Sequence, residues 1–183
     1  MSNAINSEFS FRKAERADAL CIGVLGIQVF LDTYATGGIR PSLAREVLQS
    51  LSPQVVGEIV GKAGHTFIVA EANGHLVGFA QLTERASHEL VPSPEASELN
   101  RLYVQERFTR RGLGRALLAR AEAAALASGA SVLWLAAWVD NARALAFYSR
   151  QGYEQLGSTL FEFQGEQYEN RLFAKSLSAG TGR

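Results

Sequence analysis

Residues 109–115, TRRGLGR, place two glycines and three arginines just before an apolar segment with helical spacing. Glycines leave backbone N–H groups accessible, and the start of a helix carries partial positive charge. Guanidinium groups can in addition bind phosphate oxygens in pairs. The pattern predicts a phosphate site, although a tight turn with a solvated arginine face explains a lone Gly-x-Gly equally well. The candidate contacts are Thr109, Arg110, Arg111, Gly112, Leu113, Gly114 and Arg115.

Two better-known phosphate motifs do not fit this stretch. The dinucleotide fingerprint requires a third glycine or an alanine where Leu117 stands, and the nucleotide P-loop requires Gly-Lys-Ser/Thr, which the sequence lacks. Hydride transfer and nucleotide hydrolysis therefore lose support.

A second set of polar residues lies in residues 141–148, NARALAFY. Asn141 and Tyr148 are seven residues apart, which places them on one helix face about 10 Å apart along the axis. Ala144 between them leaves room for an extended ligand. Each residue also has a structural interpretation, Asn141 as a helix N-cap and Tyr148 as a core aromatic with its hydroxyl at the edge.

The first half of the chain predicts one strand, two or three helices and a hairpin. Residues 9–14 alternate as a half-buried strand, and a helix over 16–35 follows. Its apolar residues Leu20, Val24, Ile27 and Leu31 recur at helical spacing. Ser42 is expected to cap the next helix, Pro53 to start a further short one, and Asn73-Gly74 to form a type I′ hairpin turn.

The second half predicts a strand at 99–104, a helix over 114–128 closed by Gly129, and a nearly continuous apolar strand at 132–139. A helix over about 141–151 and two final strands follow. Trp134 and Trp138 share one face of the apolar strand and are expected in the core. The order predicts a mixed α/β sheet with a right-handed βαβ crossover around the TRRGLGR helix.

Composition narrows the function classes. In 183 residues, 18 basic and 18 acidic residues cancel, which gives no global attraction to nucleic acid or to an anionic membrane. The single cysteine, Cys21, is expected to pack in the first helix, and the histidines His65, His75 and His88 lack metal-ligand spacing, so no metal is expected. Without a signal sequence or a long apolar run, the chain is expected to be soluble and cytoplasmic.

The two polar sets together resemble the GNAT superfamily of acyl-CoA-dependent N-acetyltransferases. The resemblance extends from FSFRKA to LFAKSL, and FLDTYA, ELNRLYV and WLAAWVDNARALAFYSRQGY are most similar to bacterial spermidine/spermine-type acetyltransferases. It implies a single-domain α/β fold with a mixed central sheet flanked by helices and a splayed βαβ cofactor site. We expect a flexible N-terminus at 1–8, the N-acetyltransferase domain at 9–177 and a disordered tail at 178–183.

The resemblance also implies roles for individual residues. Coenzyme A pyrophosphate would lie on residues 110–115, while Thr109 departs from the family's Gln or Arg. The backbone of Leu102, Tyr103 and Val104 would pair with the pantetheine arm, with Asn141 and Ala144 beside it. In a direct attack through a tetrahedral intermediate, Glu98 would act as base, Val104 N–H would meet the oxyanion, and Tyr148 would protonate the leaving thiolate.

For the acceptor, the resemblance favours a polyamine or another small-molecule primary amine. Glu84, Glu89, Glu95, Glu98 and Asp32 could attract a polycation, but Asn100 stands where the polyamine pattern favours another glutamate. Acetylation of an amino acid, an aminoglycoside, or a protein N-terminus or lysine remains open. A non-catalytic acyl-CoA sensor and an arginine-rich nucleic-acid contact are further alternatives, and dimers are common in such families.

Overall fold

A computed structural model describes residues 8–163 and 165–178 of the chain. The predicted flexible N-terminus and disordered tail lie outside the described residues, except for Glu8 and Ser178. The chain divides into two compact units. The first comprises the chain up to Gln81 together with Arg101–Arg120, and the second comprises Leu82–Asn100 together with the chain from Ala121 onward.

Seven strands form a mixed sheet in the order β1-β2-β3-β4-β5-β7-β6. The strands are β1 Ser10–Lys13, β2 His65–Ala72, β3 His75–Thr83, β4 Ala96–Val104, β5 Val132–Trp138, β6 Glu154–Phe163 and β7 Glu166–Ser176. β4 pairs with β5 in parallel, whereas β1 with β2, β5 with β7 and β6 with β7 are antiparallel. The predicted mixed α/β sheet is confirmed.

Five α-helices are described. They are α1 Ala19–Tyr34, α2 Pro41–Leu51, α3 Pro53–Ile59, α4 Leu113–Ala127 and α5 Ala142–Arg150. A 3₁₀ turn, Arg16–Asp18, precedes α1, and another, Glu106–Phe108, follows β4. The predicted helix boundaries at Pro53 and Gly129 are confirmed, since Pro53 is the first residue of α3 and Gly129 has a left-handed φ of 92° just after α4.

Two of the four apolar residues with helical spacing in α1 do not face the core. Leu20 and Val24 are 63% and 56% exposed, while the buried side chains of the helix include Ile22 and Leu25. The helix turns its small residues inward: a Cβ added to Gly23 would lie 2.8 Å from the carbonyl oxygen of Leu51. Close packing against α2 and α3 therefore sets the orientation of α1 and overrides the larger apolar side chains.

Two predictions for this region are wrong. Ser42 is not a cap, because Pro41 is already the first residue of α2 and Arg40 precedes it. Proline fits the first helical position since its fixed φ suits a helix and no N–H is needed there. Cys21 does not pack in the core but is exposed on α1.

The β2–β3 hairpin closes as predicted. Asn73 and Gly74 have φ values of 51° and 77°, the left-handed pair that a type I′ turn requires. The first unit's core forms between this hairpin and the helices, where Phe67 and Phe79 pack against Ile22 and other side chains of α1 and α3.

Segment Arg16–Tyr34 is the described helical segment long and apolar enough to cross a membrane by length and composition. Its buried side chains include Ile22 and Leu25, which belong to the core of the first unit.

In the second unit, Trp134 of β5 lies in a core cluster and is 7% exposed. Its indole N–H donates to the carbonyl of Ala86 at 2.6 Å, and the ring of His88 lies 5.2 Å from the tryptophan ring. The core prediction for Trp134 is confirmed, and His88 supports the loop before β4.

Candidate active site

The turn before α4 presents backbone amides. The first helical hydrogen bond of α4 runs from Ala116 N–H to the carbonyl of Gly112 at 3.0 Å. The amides of Leu113, Gly114 and Arg115 therefore precede the helical ladder, as the first amides of any helix do. They are suited to bind an anion, which the helix dipole also favours.

The backbone of this turn is unusual at two positions. Gly112 has φ 80° and Arg110 has φ 60°, both in the left-handed region. For glycine this conformation is easy, whereas for arginine it is uncommon and stores strain of the kind found at ligand sites. Sequence analysis missed the conformation of Arg110 because its side chain gives no signal for it.

Thr109 closes the 3₁₀ turn Glu106–Phe108. Its backbone N–H and its hydroxyl both donate to the carbonyl of Glu106, at 3.0 and 2.8 Å. The threonine therefore fixes the entry into the amide turn, and its hydroxyl hydrogen is used inside the protein.

The three arginines of the motif differ in environment. Arg110 and Arg115 are exposed. Arg111 forms an ion pair with Glu8, and its guanidinium lies 5.4 Å from the ring centroids of both Phe9 and Phe108. It lines a cavity of about 690 Å³ together with the start of β3.

The end of β4 has one edge turned away from β3. Gln105 N–H donates to the carbonyl of Val77 at 3.0 Å, and a Cβ added to Gly78 would lie 2.8 Å from the carbonyl oxygen of Tyr103. Tyr103 and Gln105 therefore direct their backbone groups toward β3. Because backbone groups alternate along a strand, those of Leu102 and Val104 point away from β3.

The predicted base, Glu98, lies in the second unit at the end of a ladder. The parallel register of β4 with β5 runs from Ala96 opposite Val132 to Glu98 opposite Trp134. Glu98 is half-buried. Two residues later, Asn100 accepts a hydrogen bond from the hydroxyl of Thr83 at 2.8 Å, so the position where the polyamine pattern favours glutamate has a structural partner.

Asn141 caps α5, as one of its two interpretations predicts. Its Oδ1 accepts the N–H of Ala144 at 3.1 Å, and its own N–H donates to the carbonyl of Trp138 at 3.0 Å. With the oxygen engaged by the helix, a ligand contact from Asn141 falls to its side-chain nitrogen. Ala144, one turn later, is half-buried.

Tyr148 has a buried ring, 8% exposed, within an aromatic cluster of the second unit. The rings of Phe147, Tyr153 and Phe173 lie 5.2, 5.8 and 6.3 Å away. These neighbours fix the direction of the phenol. The core interpretation of Tyr148 is therefore confirmed for the ring.

Tyr153, whose ring lies beside that of Tyr148, forms contacts with charged groups. Its hydroxyl donates to Glu122 at 3.1 Å, and Lys175 donates to the same carboxylate oxygen at 2.9 Å. Burial, with the Glu122 charge, raises the pKa of Tyr153 well above its usual range. This neutral tyrosine is a structural support for Tyr148.

Sequence analysis missed a polar cluster in the first unit. Arg101 of β4 donates through Nη1 to Oε1 of Gln81 at 2.6 Å, and Gln81 is 5% exposed. Burial raises the pKa values of both Tyr103 and Tyr34, and the Arg101 charge opposes this effect at each tyrosine. Alternation along β4 could have indicated that Arg101 is partly buried, because Arg101 shares a face of the strand with the buried Leu99.

The remaining acidic and metal-ligating candidates are dispersed. Glu89 and Glu95 are exposed in the second unit, Glu84 is half-buried there, and Asp32 is exposed on α1 in the first unit. Among residues 8–163 and 165–178, no three His, Cys, Asp or Glu side chains form a group that could hold a metal ion.

The predicted site residues thus fall into two sets. Residues 102–104 and 109–115 belong to the first unit, and Glu98, Asn141, Ala144 and Tyr148 belong to the second. In the first set, the amides of Leu113, Gly114 and Arg115 precede the helical hydrogen bonds of α4. In the second set, Asn141 caps α5 and aromatic rings surround Tyr148.

Comparison with known proteins identifies the family. Residues 38–153 match the model of the acetyltransferase (GNAT) family. An N-acetyltransferase of Lactobacillus delbrueckii subsp. lactis is 26% identical over 151 residues, which cover 82% of this chain and 87% of that protein. An aminoglycoside N(6')-acetyltransferase of Stenotrophomonas maltophilia is 34% identical over 95 residues, covering 50% of this chain and 61% of that protein.

Solved structures share the fold. The PaiA N-acetyltransferase of Thermoplasma acidophilum in complex with coenzyme A has a TM-score of 0.72 at 20% identity, covering 92% of this chain and 98% of that one. The putative acetyltransferase YncA of Salmonella typhimurium with acetyl-CoA has a TM-score of 0.65 at 20% identity, covering 96% and 97%. Since the family model spans more than half of the sequence, this chain belongs to the GNAT family of acetyltransferases and is an N-acetyltransferase.

Proposed function

We propose that this enzyme transfers the acetyl group of acetyl-CoA to the primary amine of a small molecule. The observation that carries the proposal is the amide turn at Gly112–Arg115, where the N–H groups of Leu113, Gly114 and Arg115 precede the helical hydrogen bonds of α4. A pyrophosphate fits such a turn because it offers several acceptor oxygens to adjacent amides. Arg110 and Arg115, both exposed, supply positive charge at either end of the turn.

The outer edge of β4 would hold the pantetheine arm. The two amide groups of pantetheine can pair with the backbone groups of Leu102 and Val104, which point away from β3. Val104 N–H is also the donor for the oxyanion of the tetrahedral intermediate. A β-strand edge is a suitable partner because its donors and acceptors have fixed spacing.

The acceptor must lose a proton before it can attack. An alkyl amine with a pKa near 10.4 is only about 0.04% neutral at pH 7. Glu98 takes this proton, directly or through water, as the amine nitrogen bonds to the thioester carbon. The C–S bond then breaks, the nitrogen loses its second proton to water as the amide forms, and Tyr148 gives its phenol proton to the leaving thiolate. Exchange with water restores both side chains.

Four finer predictions belong to the same proposal. The spermidine/spermine-type subfamily and a polyamine acceptor remain predictions, and so does a homodimer. A cytoplasmic location follows from the need for acetyl-CoA and from a single cysteine, which suits a reducing compartment. The resemblance to the GNAT family also leaves protein N-termini and lysines open as acceptors, so they are included among the acceptors to be tested.

The experiment is a thiol-release assay with acetyl-CoA and a panel of amines: polyamines, amino acids, an aminoglycoside and short peptides. Amine-dependent release of free thiol, with the acetylated product seen by mass spectrometry, is the expected result. Tight acetyl-CoA binding with no thiol release from any amine would instead favour the acyl-CoA sensor. Salt-sensitive binding to DNA or RNA that coenzyme A does not compete for would favour the nucleic-acid alternative.

A further inference from the structure

We propose that the acceptor is an amine that also carries a carboxylate, and that Arg101 binds this carboxylate. The inference rests on the proposed N-acetyltransferase function and concerns the acceptor alone. It starts from the polar cluster of the first unit: Arg101 and Tyr103 on β4, Gln81 on β3 and Tyr34 at the end of α1.

The guanidinium of Arg101 is half-buried and has neutral partners. Within the described part of the chain it donates to the amide oxygen of Gln81 at 2.6 Å and to the hydroxyl of Tyr103. Glu46 of α2 is close enough for its charge to raise the pKa of Tyr103. A partly buried cation with only neutral acceptors is favourable for an incoming anion.

The cluster has the donors that a carboxylate needs. A guanidinium carries more N–H groups than the two acceptors use, and its planar fork can hold both oxygens of a carboxylate. Burial keeps the hydroxyls of Tyr34 and Tyr103 protonated, because it raises both pKa values. Gln81, almost fully buried, fixes the guanidinium so that little side-chain entropy is lost on binding.

The cluster also lies beside the strand edge that the reaction would use. Arg101 and Val104 are three residues apart on β4, about 10 Å along the strand. Tyr103, whose ring lies 5.5 Å from that of Phe79, marks the α1 side of the sheet. Leu117 of α4 lies on the other side, where a Cβ added to Gly78 would be 3.2 Å from it. A carboxylate on Arg101 would therefore leave the α4 side, with its amide turn, to the acetyl donor.

This geometry disfavours a polyamine. A second ammonium group near Arg101 would be repelled by the guanidinium, whereas a carboxylate would be attracted.

The test uses pairs of amines that differ only in the carboxylate: lysine with cadaverine, ornithine with putrescine, and phenylalanine with phenethylamine. These pairs cover amines near the carboxylate and amines several bonds away from it. For at least one pair, kcat/KM for the amino acid should exceed that for its partner by about 10- to 100-fold, mostly through KM, since charge-assisted hydrogen bonds contribute on this scale.

Variants connect this preference to Arg101. Arg101→Gln, which can still form a hydrogen bond with Gln81, should reduce the ratio of the two kcat/KM values to nearly one. Arg101→Lys should restore part of this ratio, because lysine keeps the positive charge but lacks the planar guanidinium group. Arg16→Gln removes an exposed arginine of the same unit and is the matched control. The acetyl-CoA dissociation constant, measured for every variant, reports a damaged fold separately.

The outcomes separate this inference from the proposed function. If carboxylate-free amines react as well as their partners in every pair, or if Arg101→Gln keeps the preference, the inference is overturned and the acetyltransferase proposal stands. If no amine releases thiol, the proposed function fails and the inference fails with it.

Discussion

The amide turn at Gly112–Arg115 and the Arg101 cluster, which we propose as two binding sites of one unit, are built in different ways. The turn uses backbone N–H groups from consecutive residues, so its chemistry is the same whatever the neighbouring side chains are. The cluster uses side chains from β4, β3 and α1, and its chemistry depends entirely on which residues those are.

This difference separates what a fold family shares from what distinguishes its members. A backbone turn suits a donor that every member uses, because glycine and helix geometry are enough to form it. A side-chain cluster can change by single substitutions, which suits an acceptor that differs between enzymes. Breaking the turn should therefore abolish reaction with all amines, whereas changing the cluster should alter only which amine is preferred.

The largest effect is expected at the turn. Gly114→Asp places a carboxylate in the first turn of α4, where it would occupy and repel a phosphate, so acetyl-CoA affinity should fall by at least about 100-fold. Gly112→Asp should do the same but adds backbone strain, since Gly112 has φ 80°. Gly37→Asp is the matched control, because nothing lies within 4 Å of a Cβ added there. Equal calorimetric affinity for Gly114→Asp and the control would contradict the turn's role.

A second effect is expected at the β4 edge. Val104→Pro removes the N–H assigned to the oxyanion, so kcat should fall by about 10²- to 10³-fold. Val104→Ala keeps that N–H and shortens only the side chain, so it should stay within about tenfold of the parent enzyme. Steady-state kinetics on both variants, with circular dichroism to confirm folding, makes the comparison. Similar kcat values for the two would remove Val104 N–H from the mechanism.

A smaller effect is expected at Tyr148. Tyr148→Phe keeps the buried ring against Phe147, Tyr153 and Phe173, and removes only the proton donor. We expect kcat to fall by about 10²-fold with acetyl-CoA affinity nearly unchanged. Pre-steady-state thiol release measures the chemical step. An undiminished rate means that another group or water protonates the thiolate.

The smallest effect concerns stability at high pH. Burial raises the pKa of Tyr103, so above about pH 10 the unfolded chain loses this proton while the folded chain keeps it. The free energy of unfolding should therefore fall as pH rises, and Tyr103→Phe should make that decline shallower by about 1.4 kcal/mol per pH unit. Urea unfolding between pH 9 and 11 measures both slopes; identical slopes would contradict the burial of an ionisable hydroxyl in the cluster.

Features that depend on nearby residues could be predicted from the sequence. The hairpin at Asn73-Gly74, the start of α3 at Pro53 and the N-cap at Asn141 each follow from the local preferences of one or two residues. The amide turn belongs to the same class, since glycines before a helical pattern are visible in a short window.

Features that depend on residues distant along the chain could not be predicted from the sequence. The orientation of α1 follows from how closely Gly23 approaches Leu51, which no helical periodicity reveals. The Arg101 cluster brings together residues separated by up to 69 positions along the chain, from Tyr34 to Tyr103. Alternation along β4 predicts that Arg101 shares a face with Leu99, but it does not predict which groups meet it there.

The most direct test of the account is a crystal structure of the acetyl-CoA complex. We expect the pyrophosphate oxygens to lie about 2.7–3.2 Å from the backbone nitrogens of Leu113, Gly114 and Arg115. A complex in which the pyrophosphate lies elsewhere, while protein groups occupy these amides, would contradict it.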